Sequence, residues 1–365
     1  DNKDNHIFIE ANVGNLNGKT IYGGYSDSDS NNSVENNNIY INQKANLSNA
    51  TIIGGYSKSG NVSNNTIDLN STSVEADIIL AQTDNGSIDT NSNKLNNADN
   101  QTITGSLTIA KSNSTNLENI IYTMPQNITI TKDFILADSQ SGKTSNNTLD
   151  ITNAIAQNIY VGKTSNGEAS NNTINIKGDK IDGNIYVGYS QSGTTNNNIA
   201  NFEKGEVTGT IYGGNNGTDN TLNVNNTKLK AGNVANFNII NFEGDISFTT
   251  DVANSALILS SDDTNLDGVE IQINGSMYDS NSDYGLSADK KYYLISHENK
   301  ANTNYNKLKN YAYGTDEKTV GDGSVAIDVT QTDQVYKIID NKTAHTTIEL
   351  PNGLFLALVP IRSEE

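Results

Sequence analysis

One hexapeptide pattern recurs eight times along the chain and limits what it can fold into. The openings are Ile21 (IYGGYS), Ile52 (IIGGYS), Ile78 (IILAQT), Leu107 (LTIAKS), Phe134 (FILADS), Ile159 (IYVGKT), Ile185 (IYVGYS) and Ile211 (IYGGNN). Successive starts lie 31, 26, 29, 27, 25, 26 and 26 residues apart. A fixed period of this size is the mark of a solenoid, in which each repeat is a unit that cannot bury its apolar face alone. A second element follows 12 residues after the opening in several repeats: Asn-Asn-Thr and then an alternating run, as in Asn64-Asn65-Thr66-Ile67, Asn146-Asn147-Thr148-Leu149 and Asn171-Asn172-Thr173-Ile174. The repeat that opens at Ile185 carries Asn196-Asn197-Asn198-Ile199 in its place.

Each repeat reads as a short strand (Ile185 to Tyr189), a polar turn (Ser190 to Asn196), a second strand, a Gly- or Asp-bearing turn such as Gly178-Asp179, and a short third strand. Three such strands at about 3.3 Å per residue, with their turns, fill about 25 residues, one coil of a parallel β-helix. Stacked coils then align equivalent positions. The first (Ile21, Ile52, Ile78, Phe134, Ile159, Ile185, Ile211) forms an inward aliphatic ladder. The third (Gly23, Gly54, Leu80, Leu136, Val161, Val187, Gly213) shares that face at period two. The second points outward, and simple alternation would send the fifth inward, although Gln82, Asp138 and Lys163 there place it at a strand end.

Composition fits this reading. Asparagine occurs 61 times, while only 34% of residues are hydrophobic and the net charge is −19. Low hydrophobicity with high charge is otherwise a signature of disorder. Here the apolar residues fall in short alternating runs, and three prolines leave long ladders unbroken. Asparagine tolerates the left-handed backbone region, closes Asx turns, and can bond amide to amide along a stack. The Asn-Asn-Thr motif is also a glycan-acceptor sequence, but its recurrence at one coil position assigns it to turn and ladder.

The repeats IYGGYS…NNTI and IYVGYS…NNNI resemble the passenger domains of bacterial autotransporters, over residues 20 to 245 and more loosely beyond. The resemblance implies a right-handed parallel β-helix, an all-β solenoid of about 26-residue coils, exported to the bacterial cell surface and tethered to the outer membrane through a barrel that is not part of this chain. The absence of cysteine suits that route, because disulfides hinder export. The N-terminus lacks the pattern of a signal peptide, so the chain reads as a mature or trimmed fragment. The expected layout is an N-terminal cap over 1–20, regular coils over 21–245, irregular coils over 246–298 and a C-terminal β cap, similar to an autochaperone, over 299–365. That cap would hold a long loop, Asn299 to Gly314, and four strands: Ser324 to Val329, Gln334 to Ile339, Thr346 to Leu350 and Leu354 to Val359.

No catalytic constellation stands out. His6, His297 and His345 share no metal-binding spacing, no Gly-x-Ser-x-Gly elbow exists, and Gly321-Asp322-Gly323-Ser324 reads as a turn. A single arginine, Arg362, disfavours a polysaccharide-lyase base, and the acidic surface disfavours nucleic acid. The chain is therefore read as a non-enzyme, with a β-helix carbohydrate-active enzyme as the lesser alternative. Asp263, Asn265 and Asp267, with Gly268, match the first half of a calcium loop, but Asn274 stands where a bidentate Glu belongs. A tight turn is the plainer reading, with weak calcium binding as the other. The binding candidates are tyrosines: Tyr22, Tyr160, Tyr186 and Tyr212 at the second position, and Tyr25, Tyr56 and Tyr189 at the fifth. They either stack to hold coils together or dock on a partner. The expected role is adhesion to a host-cell surface protein or glycan, or to the matrix. The alternative is self-association with the same protein on neighbouring cells, in aggregation or biofilm.

Overall fold

The computed structural model describes residues 2–10, 15–42, 47–225, 227–244, 246–248, 256–261, 269–274, 277–279, 290–297, 325–329, 346–349 and 355–358. Two compact units divide the chain: residues 1–200 with 207–220, and residues 201–206 with 221–365. The described residues contain strands and no helix.

The first unit is a β-solenoid of eight turns. Its principal strands are Thr20–Ser26, Ala50–Ser57, Ala76–Thr83, Leu107–Ser112, Asp133–Ser139, Ala154–Thr164, Lys180–Ser190 and Glu206–Tyr212. From the first to the seventh, each pairs in parallel with the next. Their register joins Ile21 to Ile52, Ile52 to Ile78, Ile78 to Leu107, Leu107 to Phe134, Phe134 to Ile159, and Ile159 to Ile185. This is the alignment implied by the hexapeptides. Ile52, Ile78, Leu107, Phe134, Ile159, Ile185 and Ile211 are all fully buried. Like sits on like along the stack, so every coil closes its neighbour's apolar face.

Two further sheets hold the strands that follow the Asn-Asn turns and their equivalents. Ile7, Ile39, Ile67 and Leu95 stack in one run, and Tyr122, Leu149 and Ile174 in another. Between the two strand types, inside what reads as a polar turn, lie two-residue strands such as Val34–Glu35, Leu117–Glu118, Thr144–Ser145 and Ala169–Ser170. They are too short to show a period in the sequence.

The principal strand departs from simple alternation. Leu80 and Ala81 are both buried, as are Leu136 and Ala137. A Cβ placed on Gly55 would fall 2.5 Å from Asn65 Nδ2 and 2.9 Å from Val62 Cγ1. Positions three and four thus both meet the interior, which is why the fourth is always Gly or Ala. The doubled inward step shifts the phase, so position five returns to the outer face beside position two.

The second unit continues the parallel style. Thr221–Asn225, Ile239–Glu243 and Glu270–Asn274 stack, as do Leu229–Ala235, Ile258–Ser260 and Lys290–His297. Pairing then turns antiparallel: Val325–Val329 against Lys290–His297, and Thr346–Glu349 against Phe355–Leu358 as a hairpin. The loop over 299–314 and the strand over 334–339 lie outside the described residues.

Candidate functional site: an outward tyrosine face on a polar-laddered core

The outer face can be specialised because the inner one is so fully satisfied. In each Asn-Asn pair the two residues divide the work. The first takes the left-handed conformation, with φ of 59° at Asn36, 55° at Asn64, 56° at Asn146 and Asn171, and 55° at Asn197. The second turns into the core. Asn37, Asn65, Asn147, Asn172, Asn198 and Asn220 are each at most 1% exposed. Their amides bond along the stack. Asn37 Nδ2 donates to Asn65 Oδ1 at 2.8 Å, Asn65 to Asn93 at 3.0 Å, Asn172 to Asn198 at 3.2 Å and Asn198 to Asn220 at 3.0 Å. The same oxygens accept backbone N–H groups, for example that of Asn147 at Asn172. The second amide proton of Asn172 goes to the Thr144 carbonyl at 2.9 Å. Both polar ends of each buried amide are therefore used, as a dry interior demands. The column breaks once, at buried Ile120, whose N–H still donates to Asn147 Oδ1.

A second buried column was not read from the sequence, although the sixth residue of most hexapeptides spells it out. Ser57, Thr83, Ser112, Ser139, Thr164 and Ser190 end the principal strands, and all are buried. Their hydroxyls accept the N–H three residues on, for instance from Gly60 at 2.8 Å, Gly142 at 2.9 Å and Gly193 at 2.8 Å. Ser139, Thr164 and Ser190 in turn donate to carbonyls one coil back, at Thr115, Gly142 and Gly167.

Outside, the second position forms one register column: Tyr22, Ile53, Ile79, Thr108, Ile135, Tyr160 and Tyr186. Tyr212 stacks beyond it. The sequence-derived tyrosines gather at its two ends. At one end, Tyr22, Tyr25 and Tyr56 cluster, with ring centroids 4.8 Å apart for Tyr22–Tyr25 and 5.1 Å for Tyr25–Tyr56. Tyr25 is 44% exposed, and the Tyr56 hydroxyl donates to Asp84 Oδ2 at 3.0 Å. At the other end, Tyr160, Tyr186 and Tyr212 form a parallel stack at 4.8 Å and 4.5 Å. Tyr189 lies edge-on to Tyr160 and Tyr186, at 5.6 Å and 5.8 Å. Lys163 Nζ sits 4.7 Å from the centre of the Tyr160 ring, a cation–π contact.

The middle of the column is apolar but closely packed. Ile53, Ile79 and Ile135 point outward yet stay buried, flanked at position five by Gln82, Lys111 and Asp138. Burial pushes the Asp138 carboxyl up, against the pull of Lys163 and Lys111. Burial also pushes up the hydroxyls of Tyr160 and Tyr186, with Asp133 and Tyr212 respectively adding to it. For Tyr56, burial leads and the hydrogen bond to Asp84 reinforces it; for Tyr22, burial and then Tyr25.

Mutual stacking covers ring faces, so what each cluster offers a partner is ring edge, most of all at Tyr25, its exposed member. The tyrosines are thus suited to hydrogen bonding and edge contact, and less to laying a ring flat on a sugar. Among the described residues, no three His, Cys, Asp or Glu side chains gather to hold a metal ion. Asp263, Asn265 and Asp267 lie outside the described residues. His6 is exposed and stacks on Tyr40 at 6.1 Å. No family model, no curated protein and no solved structure matches the chain.

Proposed function

We propose that this chain is the adhesive scaffold of a bacterial surface protein, exported as an autotransporter passenger, and that its two tyrosine clusters are docking ends for a host-cell surface protein or matrix component. The observation that carries the reading is the gathering of seven of the nine described tyrosines of the first unit at two neighbouring positions of one outer face, with Tyr25 44% exposed. Tyrosine brings contact area and a polar tip at low entropic cost, which is why it is enriched at interfaces. Two clusters on one stack of coils allow two weak contacts to act together.

The alternative, self-association through asparagine-rich faces, has less support. Outer asparagines already bond along the stack: Asn70 donates to Asn42 at 2.8 Å, Asn97 to Asn70 at 3.0 Å and Asn127 to Asn100 at 3.0 Å. Sedimentation of the purified chain over a wide concentration range, paired with binding to epithelial cells, separates the readings. Adhesion predicts a monomer that binds cells, and at least about a tenfold loss of affinity in the Tyr25→Ser, Tyr56→Ser variant. Concentration-dependent oligomers with no cell binding would reverse the assignment.

A further inference from the structure

An open groove of about 320 Å³ crosses three consecutive coils of the first unit, where each coil turns into its principal strand. That volume is at the lower end of what small-ligand sites use, from about 300 Å³ upward. Asn127, Asn153, Ile155, Asp179, Lys180 and Asp182 line it.

Three features mark it off from the other turns. Ile155 is 48% exposed, although its register partners in the outward column are Thr129 and Asp182. The strand carries a bulge between Ile155 and Asn158, and bulges re-aim side chains beside functional sites. In the next coil Gly183 has φ of 140°, and a Cβ there would lie 1.8 Å from the Ala156 carbonyl, so only glycine permits the close approach. The polar lining is also held in place. Asn153 Oδ1 accepts the N–H groups of Asp179 at 2.8 Å and Lys180 at 3.1 Å. Thr208 Oγ1 donates to Asp182 Oδ1 at 2.5 Å and accepts the Gly183 N–H at 3.2 Å.

We propose that this groove binds a neutral sugar residue. The Asp182 carboxylate, fixed before binding through the Thr208 bond to its Oδ1, accepts hydroxyl protons at Oδ2 without a further ordering cost. The exposed Ile155 offers an aliphatic platform for the C–H face of a pyranose. Two carboxylates argue against an anion, and Lys180 among them argues against a simple cation. The groove precedes the tyrosine column along each strand, so its test stands apart from that of the adhesive face.

The experiment is methyl NMR on the chain labelled at isoleucine δ1 positions, titrated separately with three sugars, methyl α-D-mannopyranoside, methyl β-D-galactopyranoside and N-acetylglucosamine, and with Nα-acetyl-lysine methylamide as a non-sugar probe. The expected result is saturable shifts, by at least one sugar, of the methyls of Ile155 and of Ile128, which also lines the groove, with Kd in about the millimolar range. Asp182→Asn should weaken that binding at least about tenfold, and Ile155→Ala likewise with Ile128 as reporter, while the remaining methyl spectrum stays unchanged. Tyr25→Ser should leave the titration unaltered. Two results overturn the proposal: no shift of either methyl by any of the three at about 50 mM, well above the millimolar range, or shifts produced only by Nα-acetyl-lysine methylamide.

Discussion

The asparagine column inside the first unit and the tyrosine column outside it are built by the same repeat, yet they obey opposite rules. Inside, Asn65, Asn172 and Asn198 have no water to fall back on, so their amide protons find fixed acceptors, and asparagine recurs from Asn37 to Asn220 with Ile120 the one exception. Outside, the second position varies among Tyr, Ile and Thr, because contact with the coil above needs bulk and not one chemistry. A position whose side chain is specified by the fold repeats with little variation, as the asparagines do on either side of Ile120. A position with freedom can be given to binding, and it is there that tyrosine collects.

The sharpest way to break this contrast is Asn172→Ala. It orphans the Asn147 N–H and the Thr144 carbonyl and removes a donor from Asn198 Oδ1. At about 1–3 kcal/mol for each unmet buried group, the expected loss is about 3–5 kcal/mol, read as a drop in the urea midpoint. Tyr186→Ser comes next. It removes stacking on Tyr160 and Tyr212, about 0.5–1.5 kcal/mol each, so the melt should shift modestly while cell binding falls at least about tenfold. An equal loss of stability in both variants would erase the distinction.

Alkali gives a smaller effect per site. Tyr22, Tyr56, Tyr160 and Tyr186 ionise above the usual tyrosine range in the fold. The unfolded chain therefore releases these protons first as pH passes about 10. Their contribution is whole below that pH and is lost above it. Denaturation at pH 8 and pH 11 should show the decline, and Tyr56→Phe with Tyr160→Phe should blunt it. The smallest expected change is Ile120→Asn. It restores the missing amide at a site where Ile120 is already accommodated, and stability should move by no more than about 1 kcal/mol in either direction. A large gain would mean that the break at coil 117–123 is a real weak point.

Much of this was legible in the chain itself. The hexapeptide starts gave the register from Ile21 to Ile185 residue by residue, because an aliphatic ladder leaves a strict periodic trace. That the Asn-Asn motif serves turn and ladder followed from its chemistry and its recurrence at one coil position; which residue takes which role emerges from the stacked coils, where the first has positive φ and the second is buried. The outward return of position five was not legible, since the doubled inward step at Gly54-Gly55 or Leu80-Ala81 depends on how the strand bends over the asparagine column. Two-residue strands such as Thr144–Ser145 have no period to find. The Ser/Thr column was written in the hexapeptides but resembles ordinary turn composition. The groove arises from a bulge and one glycine, Gly183, features that gain meaning only when coils are stacked.

The most direct test is hydrogen exchange at the asparagine side-chain amides, followed by NMR. The Nδ2 protons of Asn65, Asn172 and Asn198 should exchange as slowly as core backbone amides, while those of Asn70 and Asn97 in the outer column exchange far faster. Equal, rapid exchange at both sets would contradict a buried amide column, and with it the division of labour between the two faces.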